Sequence, residues 1–165
     1  MTAQVPESLA YDGEKLPLRT TPLAPYLGAN AKDEIFQATN TANWRGYVGE
    51  WEIADDRLFL VDLKGRLKDG SAATLSTIFP NSDGRVLATW YSGTLRVPQG
   101  ELIEYVHLGF ASRYERDVLI EVREGVIVGK SVQENDLTGN MRNMFPTNGS
   151  KTRRGLFSRL LRFIW

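Results

Sequence analysis

The chain has 165 residues, 42% of them hydrophobic, and 20 basic residues balance 20 acidic ones. That length fits one domain with its own core, and the even charge gives no global reason to expect nucleic acid as a partner. Without cysteine there is no disulfide, no thiolate nucleophile and no cysteine metal ligand.

The charge is unevenly spread. Residues 151–165 hold five basic residues and no acidic one, so residues 1–150 carry 15 basic against 20 acidic, a formal −5. The N-terminus lacks a basic start followed by an apolar run, so a cleaved secretory signal is not expected. No stretch approaches the roughly 20 apolar residues that span a bilayer as a helix. The expectation is a soluble cytoplasmic protein.

Residues 1–14 are polar and turn-prone and read as a flexible N-terminal segment. Lys15–Thr20 reads as an edge strand, since Pro17 is poorly tolerated in a central one. An extended connection through Pro22 and Pro25 follows, and then one or two helical turns in AKDEIFQAT. Trp44–Ile53 reads as the first long strand, with Tyr47, Trp51 and Ile53 on one face and Val48, Glu50 and Glu52 on the other. Residues 54–56 turn it into Arg57–Leu63. Leu75, Ile78 and Phe79 favour a helix in Ser71–Phe79, with an extended alternative, stopped by Pro80.

The stretch Arg85–Leu108 organises the rest. It reads as strands Val86–Tyr91, Thr94–Val97 and Glu101–Leu108, broken by SerGly and ProGlnGly, and it carries the only histidine, His107. Val118, Ile120 and Val122 alternate with Leu119, Glu121 and Arg123, and Glu124–Gly125 reads as a tight turn into Val126–Val132. About seven or eight short strands with few crossovers predict a mainly β fold, an antiparallel sandwich or incomplete barrel with one or two short helices. The expected body is 15–145, followed by a linker and basic amphipathic tail over 146–165.

The motifs WRGYVGEWEI, RLFLVDLKG and TWYSGTLRVPQGELIEYVHLGFASRYE resemble those of an uncharacterised family of small bacterial β-rich proteins. The resemblance spans roughly residues 16–128 and implies no activity or site.

A serine–histidine–acid set could only be assembled from Ser112, His107 and Glu115 or Asp83, and the strained nucleophile elbow is missing. No catalytic residue is assigned. Asp55, Asp56 and Asp62 form the nearest acidic cluster, but their spacing is not that of a calcium loop and the first two suit a turn. Glu50 and Glu52 share a strand face, where charged side chains ordinarily meet water. No phosphate-binding glycine motif is present, and neither a cofactor nor a metal is expected.

Aromatics offer a stronger signal, because rings give large contact area and Tyr or Trp adds a directional polar atom. The expected binding set is Trp90, Tyr91, Tyr105, His107, Arg113, Tyr114 and Glu115, the charged residues forming a rim. Arg154, Leu156, Phe157, Arg159, Leu160, Leu161, Arg162, Ile164 and Trp165 form a second candidate. As a helix they would separate an apolar face from basic residues and dock on a partner or a membrane surface, making the protein peripheral to that membrane. The leading function is a small protein-binding module that neutralises or regulates a protein partner. The alternative is a small-molecule-binding or hydrolytic protein with an aromatic pocket around Trp90, Tyr105 and His107.

Overall fold

The computed structural model describes residues 2–135. The candidate docking segment Arg154–Trp165 lies outside the described residues. The described residues form one compact body through Asn135, and the expected boundary at residue 145 lies outside the described residues.

Among the described residues the strands are β1 (Glu7–Tyr11), β2 (Glu14–Leu18), β3 (Tyr47–Ala54), β4 (Arg57–Arg66), β5 (Ala72–Ala73), β6 (Val86–Leu87), β7 (Gly93–Glu104), β8 (Arg113–Arg123) and β9 (Val126–Glu134). Two short helices, α1 (Ala24–Ala29) and α2 (Leu75–Ile78), and a 3₁₀ turn at Asp33–Ile35 complete it. The sheet order is β2-β1-β3-β4-β9-β8-β7, with β5 and β6 also laid against β4. Among the described strands, β1 and β3 alone pair in parallel, Ser8 to Ala10 alongside Glu50 to Glu52.

Three two-residue hairpins contribute to this order, and the longer 105–112 loop joins β7 to β8. Asp12–Gly13, Asp55–Asp56 and Glu124–Gly125 all adopt positive φ at both turn residues, between 48° and 80°. That geometry twists in the same sense as the flanking strands and so favours tight antiparallel return.

The first hairpin corrects the expectation of a flexible segment over 1–14. Leu9 is fully buried and β1 sits inside the sheet between β2 and β3. The alternation Glu7, Leu9, Tyr11 is a strand pattern concealed by a carboxylate at an inward position. Pro17 lies, as expected, on an edge strand, β2.

Three further elements differ from the sequence reading. Residues 24–29 form a helix with a proline in its first turn, where the fixed φ and missing N–H cost nothing, instead of an extended connection. Ser71–Phe79 divides into β5 and a single helical turn, which begins at a Thr74–Thr77 capping box. Pro98 and Gly100 do not interrupt β7, which absorbs them as register shifts near Gln99 and Leu102.

The sheet curls without closing into a full barrel. At one seam the Arg19 N–H donates to the Arg96 carbonyl (2.9 Å) and the Arg96 N–H to Thr20 Oγ1 (2.9 Å). At the other, β4 and β9 share the single pair Arg57–Val126. The core inside the curl is formed by Leu9, Leu18, Trp51, Leu58, Leu60, Leu63, Leu95, Val97, Ile120 and Val122, joined by Leu23, Leu27 and Ile78.

Candidate functional site

The structure divides the expected binding set. Trp90 packs inward: its ring stacks on Phe79 at 5.4 Å and tilts against Tyr26 at 4.9 Å, and Nε1–H donates to the Pro22 carbonyl. Tyr91 is buried, its hydroxyl donating to the Thr94 carbonyl, and burial pushes its phenol up to about 12. Both are held by core contacts. No ring contact among the described residues joins Trp90 to Tyr105 or His107, so the structure does not assemble the expected pocket around these three.

Tyr105 is 54% exposed, and His107 meets its ring edge-on at 4.5 Å. They lie in a loop, residues 105–112, rather than on the strand expected for Glu101–Leu108. Arg113 pairs with Glu104 at 3.2 Å. The Tyr114 hydroxyl accepts a hydrogen bond from Arg19 Nη2 at 2.8 Å, with the guanidinium over the ring. Glu115 lies exposed against Gly100.

The 105–112 loop is fastened from beneath. Ser112 is buried; its Oγ accepts from the Val106 N–H (3.1 Å) and donates to the Val106 carbonyl (3.3 Å). That engagement explains why Ser112 and His107 form no nucleophile–base pair. Arg96 donates from Nη1 to the Phe110 carbonyl (3.0 Å) and from Nη2 to the Ser112 carbonyl (3.4 Å), while Nη2 also meets Asp117 Oδ2 at 3.0 Å. Asp117 is itself buried and accepts a second bond, from the Asn135 amide. Removing one member of such a pair strands the other charge. Arg96→Met is therefore expected to cost about 3 kcal/mol and to speed amide exchange across residues 105–112, measured by denaturation and hydrogen exchange.

The loop is also tied to two other segments. The Gln4 N–H donates to the Gly109 carbonyl (2.9 Å), and Gln4 Oε1 accepts from the Trp44 N–H (3.1 Å). The Val5 N–H donates to Ala42, and its carbonyl accepts from Arg45 Nη2. The Arg45 guanidinium lies 5.5 Å from the Phe110 ring centre and 5.6 Å from that of Tyr47. These ties bring the backbone at Val5 and Trp44 to the loop that carries Tyr105 and Leu108, and the side chains of Val5, Trp44 (52% exposed), Leu102, Tyr105 and Leu108 are all exposed.

Beneath Arg45 lies a group that the sequence reading missed. Glu7 points inward at 1% exposure, and its Oε2 accepts from Trp51 Nε1–H at 2.5 Å. Arg45 Nε stands 3.8 Å from Oε1. Burial pushes the Glu7 carboxyl up to about 7, against the opposing pull of the Trp51 bond, the Arg45 charge and the Gly49 N–H. Burial, reinforced by the Glu7 charge, also raises the Tyr47 phenol. A Cβ at Gly49 would stand 2.7 Å from Trp51 Nε1 and 2.9 Å from Glu7 Oε2, so glycine is what lets the indole and carboxyl meet. A carboxyl so enclosed can hold a proton near neutrality but meets no solute.

Glu50 and Glu52 lie in ion pairs, and Asp55 and Asp56 in a turn. Glu50 pairs with Lys64 (2.6 Å) and Lys15 (3.3 Å), bonds that hold its carboxyl below its ordinary value, and Glu52 pairs with Arg85. Asp55 and Asp56 form the β3–β4 turn. No group of three or more possible metal ligands occurs among the described residues, and no described helix is long and apolar enough to cross a membrane. Comparison with known proteins gives no matching family model, no matching curated protein and no matching solved structure.

Proposed function

We propose that this protein is a protein-binding module whose partner docks on the apolar end formed by Val5, Trp44, Leu102, Tyr105 and Leu108. The observation that carries the reading is the pairing of exposed rings with a buried polar scaffold: Arg96, Asp117, Ser112 and Gln4 fix the backbone beneath side chains left open to solvent. Side chains held in place before contact lose less conformational freedom on binding. Tryptophan and tyrosine are the residues most enriched among those that dominate interface energy, and the Arg113–Glu104 pair supplies a charged rim. Covering a partner's surface in this way would neutralise or regulate it.

Tyr105→Ala and Trp44→Ala are each expected to weaken partner binding by about 2 kcal/mol, roughly thirtyfold, the effect typical of a dominant interface residue. Both side chains are half-exposed, so thermal stability should stay near wild type. Titration calorimetry with a partner recovered from native lysate checks this; unchanged affinity in both variants would place the interface elsewhere.

A further inference from the structure

Among the described residues, β9 is open along one edge past Ile127. β4 leaves it after the Arg57–Val126 pair, and past Ile127 its only ladder partner among the described residues is β8. Residues 130–134 are all exposed, as are Val128 (50%) and Val132 (42%). The equivalent side of β4 is instead covered in succession by β9, β6 and β5. A free strand edge presents unpaired N–H and C=O groups to any strand that can match it.

We propose that β9 pairs antiparallel with β9 of a second copy of this chain, about a two-fold axis at Val132. The sequence of the edge is complementary to itself in that register. Val132 faces Val132, Ser131 faces Gln133, and Lys130 faces Glu134 twice, once on each side of the axis. Moving the axis to residue 130 sets lysine against lysine, and moving it to 134 sets glutamate against glutamate, so charge disfavours both of these registers.

Both charges are available. Among the described residues no carboxylate pairs with Lys130 and no cation pairs with Glu134. Lys130 lies over the Tyr11 ring at 4.4 Å from its centre and touches its hydroxyl, which fixes the ammonium on the inward face of the strand. On a lone edge lysine opposes strand pairing. Here Glu134 of the second copy stands opposite and matches its charge.

Analytical ultracentrifugation of the full chain over a range from micromolar to submillimolar concentration tests this. The wild type should show a reversible monomer–dimer equilibrium. Lys130→Glu and Glu134→Lys each turn two opposite-charge pairs into two like-charge pairs and should raise the dissociation constant about tenfold or more. The double variant Lys130→Glu/Glu134→Lys restores complementarity and should return it to near wild type. Near-UV circular dichroism reports on the fold; the Glu134 side chain makes no hydrogen bond or ion pair among the described residues, so Glu134→Lys remains informative if Lys130→Glu unfolds. A wild type that stays monomeric, single variants that dimerise as it does, or a double variant that stays dissociated would overturn the proposal.

Discussion

The stability of Glu7→Gln relative to wild type should grow by about 3 kcal/mol between acid pH and pH 8. In the folded protein the Glu7 carboxyl keeps its proton to about pH 7, whereas its ordinary value is 4.5. Between those values the native state binds more protons than the unfolded state, so stability falls as pH rises and levels off above pH 7. The amide keeps the shape and the acceptor for Trp51 Nε1–H but does not titrate. Other carboxylates, Glu50 and Asp69 among them, are held below their ordinary values and act in the opposite sense at lower pH. They are common to both proteins, and any fixed cost of the amide beside Arg45, being independent of pH, drops out once the change of the difference with pH is taken. Urea denaturation at a series of pH values measures it; a difference that does not vary with pH would show that Glu7 ionises normally in the fold.

Trp51→Ala should destabilise the protein by about 4 kcal/mol or more, close to the limit of what the fold tolerates. Trp51 is 1% exposed, and its removal both empties the centre of the core and takes away the donor that Glu7 Oε2 accepts. Trp51→Phe separates these effects. It keeps most of the packing, loses the N–H, and should cost about 1–3 kcal/mol, with the larger loss above pH 7 where the carboxyl is ionised. Equal losses at pH 5 and pH 8 would break the link between indole and carboxyl.

Much of the sheet was legible because the strands with the clearest period-two pattern are those paired on both sides. β3, β4 and β8 and the turns at Asp55–Asp56 and Glu124–Gly125 fall where alternation and turn chemistry put them. β1 was not legible, because its inward positions read Glu, Leu, Tyr and its parallel pairing with β3 is set by tertiary contact alone. The signal that could have found it was the Asp12–Gly13 dipeptide between two short alternating runs.

The candidate site was half legible for a related reason. Tyr105 and His107 were identified by residue type, and both are exposed. Trp90 was the same type, but burial depends on Tyr26 and Phe79, far away in sequence. Trp44 and Val5 join the exposed end through Gln4 and Arg45, contacts that no local pattern reveals.

Photo-crosslinking from position 105 of the full-length protein in its native cells tests the binding surface most directly. With a photoreactive phenylalanine at 105, the account predicts a discrete protein adduct that disappears when Trp44→Ala is added and is not formed from the exposed loop position 69. No adduct from 105, or the same adducts from 69, would contradict it.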